Sequence, residues 1–147
     1  MKANKILFAT DFSPASEAAL RYASSLARDS GAKLLIVHVE EPPLAYGAGE
    51  MYIDPIEITR PGLEEVLHRV RPTAPEVPCE HHLLLGDPAQ ELVDLAQREK
   101  VDLIVLGTHG RTGLSRLLMG SVAEEVVRKA PCPVFTLKQP TEAPAGA

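Results

Sequence analysis

Asp102-Leu103-Ile104-Val105-Leu106-Gly107-Thr108-His109-Gly110 decides the fold of this chain. Four apolar residues follow one another with no polar alternation, which suits a strand covered on both faces, as in a parallel sheet. Glycine ends the run. The chain then reads Arg111-Thr112-Gly113-Leu114-Ser115-Arg116-Leu117-Leu118-Met119-Gly120-Ser121-Val122, a polar and glycine-bearing passage that leads into a helical pattern.

Four other short apolar runs flank this one: Lys5–Ala9, Lys33–Val39, Glu80–Leu85 and Val134–Leu137. Leu34-Leu35-Ile36-Val37 is again continuous. Helix signals lie between the runs. Ser13-Pro14 reads as an N-cap followed by proline at the first helical position, with Ala15, Ala19, Tyr22, Ala23 and Leu26 as the buried stripe and Gly31 as the stop. Asp87-Pro88 repeats that start, Gln90 stands where a capping box needs it, and Ala89, Leu92, Val93 and Ala96 form the stripe. Ser121 with Glu124 has capping-box spacing too, ahead of an expected stripe of Val122, Val126 and Ala130. Strand and helix alternate, which predicts right-handed βαβ units in a single α/β domain with an open, twisted parallel sheet.

Two segments break the rhythm. Glu41–Gly62 holds four prolines, three glycines and two tyrosines, so a long loop is expected there, followed by a short helix around Leu63–Val70. Such a loop is either a lid or interface element or a mobile insert. Gln139–Ala147 is rich in Pro, Ala and Gly and is expected to be a disordered tail behind a domain spanning 1–138.

The 147 residues are 45% hydrophobic and 24% charged, which fits one globular domain with a real core. Fifteen basic against twenty acidic residues leave a net charge of −5, which argues against a broad nucleic-acid or anionic-membrane footprint. A phosphate ligand stays possible, because backbone N–H groups can hold one without basic side chains. No run approaches the roughly 18 apolar residues of a membrane helix. Cys79 and Cys132 form no CxxC pair and are expected as buried, reduced thiols in a cytoplasmic protein.

The chemistry points to Gly107-x2-Gly110-x9-Gly120-Ser121, which follows a buried strand and opens a helix. Glycine at 107 and 110 would permit positive φ and let a ligand approach the backbone. At Gly120-Ser121 the first helical N–H groups and the positive end of the dipole suit a phosphate. That dipole contributes only about 0.3–1 kcal/mol, so several N–H groups and the Ser121 hydroxyl must share the task. Taken singly, each glycine has an ordinary structural reading, and Ser121 with Glu124 could be a capping box alone.

With this spacing, the opening Lys5-Ile6-Leu7-Phe8-Ala9-Thr10-Asp11-Phe12-Ser13, the strand ending His38-Val39 and the passage Pro131-Cys132-Pro133-Val134, the chain resembles the universal stress protein family in its ATP-binding branch. The resemblance covers about residues 3–138. It implies a five-stranded sheet of order 3-2-1-4-5 and an ATP site, with Mg expected alongside the triphosphate. Thr10 and Asp11 would face the adenosine end, and Val39 the adenine. Gly107, His109 and Gly110 would line ribose and phosphates, while Gly120, Ser121 and Val122 would hold the phosphates. It also implies a homodimer through the fifth strand, Val134, Phe135, Thr136 and Leu137. Pro131 and Pro133 fit an edge position there, because neither can donate to a ladder. The long 41–62 segment and the short second helix depart from the longer helix such a chain would carry, which leaves the cover of the adenine side undefined.

Other chemistries find less support. No Gly-x4-Gly-Lys-Ser/Thr loop and no Gly-x-Gly-x-x-Gly fingerprint occur. Arg111 and Arg116 could reach phosphates, but loop arginines are more often solvated. His81-His82 are strand neighbours that face opposite sides, so they make a poor metal pair. Asp11, Asp87 and Lys138 fall where a phosphate-receiver domain would want them, yet Asp11 lacks an acidic neighbour and Asp87 already has a helix to cap. The expected role is a nucleotide-dependent signalling or stress-response module. A slow ATPase or phosphate-transfer enzyme is the alternative, disfavoured because no general base stands beside the phosphate loop. A partner-binding scaffold with an empty pocket is a third reading.

Overall fold

The computed structural model describes residues 2–42, 60–107 and 120–138. Its elements are β1 (Lys5–Ala9), α1 (Pro14–Ser30), β2 (Lys33–Glu40), α2 (Arg60–His68), β3 (Cys79–Leu85), α3 (Pro88–Arg98), β4 (Leu103–Gly107), α4 (Ser121–Lys129) and β5 (Val134–Leu137). All strand pairs are parallel and the order is β3-β2-β1-β4-β5. Phe8 of β1 stands between Ile36 of β2 and Val105 of β4, so β1 is the centre of the sheet.

The unbroken apolar runs are explained by two cores. Ile6, Phe8, Leu34, Ile36, Leu103 and Val105 face α1 and α2, while Leu7, Leu35, Val37, Ile104 and Leu106 face α3 and α4. Each of these large side chains is essentially water-free and contributes roughly 1.5–3 kcal/mol by its burial. On α1, Ala19, Ala23 and Ala27 form an i, i+4 row of methyl groups that lets the helix lie close to the sheet. Tyr22 lies beside that row and is 58% exposed, against the expectation of burial.

Local capping follows the sequence closely. Ser13 accepts from the Ser16 amide with Pro14 behind it, and Gly31 closes α1 in the left-handed region at φ 73°. Asp87 Oδ2 accepts from the Gln90 amide at 3.0 Å. The Gln90 side chain, however, reaches forward to Asp94 Oδ1 at 2.9 Å, so only half of the expected box forms.

Three further expectations are corrected. α4 is capped by Gly120 with no side-chain cap bond, so Ser121 is its first helical residue and forms no capping box. The stripe shifts accordingly: Ala123 and Val126 are buried, Ala130 is partly buried, and Val122 is exposed. The segment expected as loop to Gly62 turns helical at Arg60, and α2 ends at His68 rather than Val70. Both cysteines are free thiols but only half-buried. Burial, with a smaller effect of Asp102, pushes the Cys132 thiol above its usual value. Among the described residues, no helix is long and apolar enough to cross a membrane.

Candidate functional site

β1 leads through α1 to β2 on one side, and β3 leads through α3 to β4 on the other. The chain therefore diverges between β1 and β4, the place where open α/β sheets bind ligands at their carboxyl edge. Thr10 and Asp11 follow β1, Val39 is the next-to-last residue of β2 and pairs with Leu84 of β3, and Gly107 ends β4. Tertiary structure thus brings these residues to one edge. His109, Gly110, Arg111 and Arg116 lie outside the described residues.

The β1–α1 corner is held by its own side chains. The Phe12 amide donates to Thr10 Oγ1 at 2.9 Å, and the Ser13 amide to Asp11 Oδ1 at 3.0 Å. The Asp11 amide donates to Ser16 Oγ at 3.1 Å, and that hydroxyl donates to Asp11 Oδ1 at 2.6 Å. Ser16 N–H in turn donates to Ser13 Oγ at 3.3 Å. This chain of bonds holds Phe12 at φ 65°, a region unfavourable for a bulky residue. Strain of that kind costs about 1–3 kcal/mol and persists only where the surroundings over-determine it. The Phe12 ring meets His38 at a centroid distance of 4.6 Å, and His38 Nδ1–H donates to the Thr10 carbonyl at 2.8 Å. His38 is therefore a strand residue with a satisfied ring.

The β4–α4 side is built differently. Neither Gly107 nor Gly120 has positive φ: among described glycines only Gly31 and Gly86 do, and Gly120 sits at φ −64° and ψ 156°. Conformational freedom is thus not why glycine stands at either position. A Cβ on Gly107 would meet Ala15 Cβ at 3.3 Å, so this glycine admits the first turn of α1 against the end of β4. Ser121 and Val122 are exposed at the start of α4, on the side of the sheet that carries α3.

A hollow of about 130 Å³ lies on the other side, lined by Phe8, Thr10, Phe12, Leu20 and Val70 among others. It is smaller than the roughly 300–1,000 Å³ of typical ligand pockets and is remote from the α4 face. Among the described residues, no three His, Cys, Asp or Glu side chains are grouped to hold a metal. His81 Nε2–H donates to the Val70 carbonyl at 2.7 Å and His82 Nε2–H to Glu80 at 3.1 Å, each ring having a partner of its own. Lys33 and His82, by hydrogen bonds first, hold the Glu80 carboxyl below its usual value. Asp87 is a helix cap, as its proline neighbour implied. Phe12, Ser13 and Ser16 escaped notice as site-shaping residues. The Ser13-x2-Ser16 spacing behind Asp11 was the available signal, but the left-handed Phe12 had none.

The description "Universal stress protein family" belongs to the family model that matches residues 2–138. A universal stress protein of Methanocaldococcus jannaschii is 38% identical over 143 residues, covering 92% of this chain and 82% of its own. One from Thermus aquaticus is 39% identical over 137 residues, covering 90% and 97%. Among solved structures, a universal stress protein in complex with cAMP superposes with a TM-score of 0.68 at 28% identity, covering 95% of this chain and all (100%) of that one. The universal stress protein from Archaeoglobus fulgidus in complex with dAMP gives 0.60 at 25%, covering 94% and 100%.

Proposed function

The chain belongs to the universal stress protein family, and on that premise we propose that it binds ATP across the carboxyl edge between β1 and β4. The observation that carries the reading is the inequality of the two helix starts at that edge. In the first turn of α1, Pro14 has no N–H to offer and the Ser16 amide is taken by Ser13 Oγ, while the Asp11, Phe12 and Ser13 amides just ahead of the helix are taken by the Ser16, Thr10 and Asp11 side chains. α4 begins at a glycine that brings no capping side chain. An anion seeks N–H groups and the positive end of a dipole, so the triphosphate belongs at α4 and the adenosine at the β1–β2 end.

Gly120, Ser121 and Val122 then hold phosphates, with Gly107, His109 and Gly110 along ribose and phosphates. Thr10, Asp11 and Val39 border the adenosine. The exposed Ser121 and Val122 suit contact with a ligand. The relatives solved with cAMP and dAMP support an adenine nucleotide as the class. Mg would accompany the triphosphate as part of the ligand.

Binding rather than turnover is the output of this site. The Asp11 carboxylate is engaged by Ser13 and Ser16 at the adenosine end, away from the γ-phosphate. The protein acts as a dimer through β5, an edge strand of four residues whose Phe135 is 44% exposed. An open apolar edge of this kind invites pairing with its copy. Free thiols at Cys79 and Cys132 support a reducing, cytoplasmic setting. The domain spans 1–138 with 139–147 as its tail.

Thermal unfolding with Mg-ATP, Mg-GTP and AMP tests the reading. At 100 times its Kd a ligand adds about 2.7 kcal/mol, which raises the midpoint by roughly 5–10 °C for this chain length. A rise with adenine nucleotides alone is the expected result, and no rise with any of them overturns it. Sedimentation at working concentration tests the dimer, and a monomeric mass overturns that part.

A further inference from the structure

α2 lies against β3, an edge strand, and its C-terminal end is fastened by two histidines. His68, in the last turn of α2, and His81, in mid-β3, place their rings 4.5 Å apart at an interplanar angle of 31°. His81 Nε2–H donates to the Val70 carbonyl at 2.7 Å, just beyond the helix. His68 Nδ1–H donates to the Glu64 carbonyl one turn back at 2.8 Å. Past this point the chain is tied down independently: the Thr73 amide donates to the buried Ser24 Oγ at 3.0 Å, and Ala74 and Val77 are buried.

We propose that the His68–His81 pair is an acid-releasable clasp, which holds the end of α2 on β3 at neutral pH and loosens it as the medium acidifies. His81 already uses Nε2, so an added proton goes to Nδ1. The charges acting on His81 are His68 from α2, Arg71 from the following loop and His82 from its own strand, all of one sign when protonated. The neighbouring carboxylates are engaged elsewhere: Glu65 pairs with Arg69, and Glu80 with Lys33 and His82. Glu64 is exposed one turn before His68 and gives that ring its main-chain carbonyl.

Burial first, then these charges, press His81 below its ordinary value of 6.5, while the Val70 bond works the other way. A histidine depressed in the docked state binds its proton more readily once undocked. Docking is therefore complete above about pH 6.5 and weakens as pH falls through that value, by at most about tenfold per unit for one proton. The consequence reaches the hollow, because Val70 is one of its walls beside Thr10 and Phe12. Acid release of α2 opens that wall.

Amide hydrogen exchange on the full chain at pH 7.5 and 5.0, corrected for intrinsic rates, tests the clasp. Residues 60–70 should lose protection severalfold at the lower pH while Leu34–Val37 keep theirs. In His81→Gln, whose amide can still donate to the Val70 carbonyl, the loss should shrink to less than twofold. His68→Gln, at an exposed position, removes one of the charges but leaves the burial, so it should reduce the loss in part, and it serves if the first variant folds poorly. Constant protection of 60–70 in the unchanged protein overturns the proposal, as does loss that the sheet shares equally. Variants that keep the original pH profile also overturn it.

Discussion

The N-terminus of α1 consumes its own hydrogen-bonding groups, whereas that of α4 carries no side chain with which to do so. Both lie at the carboxyl edge of neighbouring central strands, and both carry the same half-charge of a helix dipole. What separates them is the residue at the cap. Ser13 closes α1, supported by Asp11 and Ser16, and the result is a rigid corner tight enough to hold Phe12 at φ 65°. Gly120 leaves α4 without such a closure. A helix start of the first kind serves the fold, and one of the second kind can serve a ligand.

The sharpest way to break this contrast is to give α4 a cap of its own. Gly120→Asp places a carboxylate at the N-cap, and the φ of −64° and ψ of 156° there admit any residue. Mg-ATP affinity should fall at least about 100-fold, roughly 2.7 kcal/mol, while the unfolding midpoint holds or rises slightly. Calorimetric titration reads the first and a melting curve the second. Unchanged affinity would mean that phosphates do not sit at α4.

Ser13→Ala probes the other corner. Loss of the cap should cost about 1 kcal/mol, lowering the midpoint by roughly 2–4 °C, with affinity for inorganic tripolyphosphate changed less than twofold. Were tripolyphosphate binding to collapse here as well, the two helix starts would not differ in function. The smallest effect is expected at Gly107→Ala. The new methyl meets Ala15 at 3.3 Å, so α1 must yield by a few tenths of an ångström, at about 1 kcal/mol or less. Retained nucleotide binding in that variant would assign Gly107 to packing, and lost binding would assign it to the ligand.

Much of the molecule was legible where the cause is local. Ser13-Pro14, Asp87-Pro88 and Gly31 act on the main chain within four residues of themselves, and each behaves as its residue type dictates. The continuous runs Leu34–Val37 and Leu103–Leu106 are buried because both sheet faces are covered. Tyr22 and Val122 were misjudged for a shared reason. Helical spacing says which residues can share a face but not where that face ends, and a row of alanines or a cap displaced by one residue moves the boundary.

Residue order, then, was enough to place five strands and the helices between them, and the spacing of glycines behind the fourth strand is the basis for proposing a phosphate end there. These are properties of neighbours along the chain, governed by φ, by side-chain period and by the first unpaired amides of a helix. Strand order, which the residues themselves do not give and only the family resemblance implied, the pairing of Phe8 with both Ile36 and Val105, and the meeting of His68 with His81 belong to tertiary structure. So does the left-handed Phe12, which three side-chain bonds from Thr10, Asp11 and Ser16 impose on a residue that would not adopt it alone. Contacts between distant residues exist only after the chain has closed on itself, and no periodicity of sequence encodes their distances.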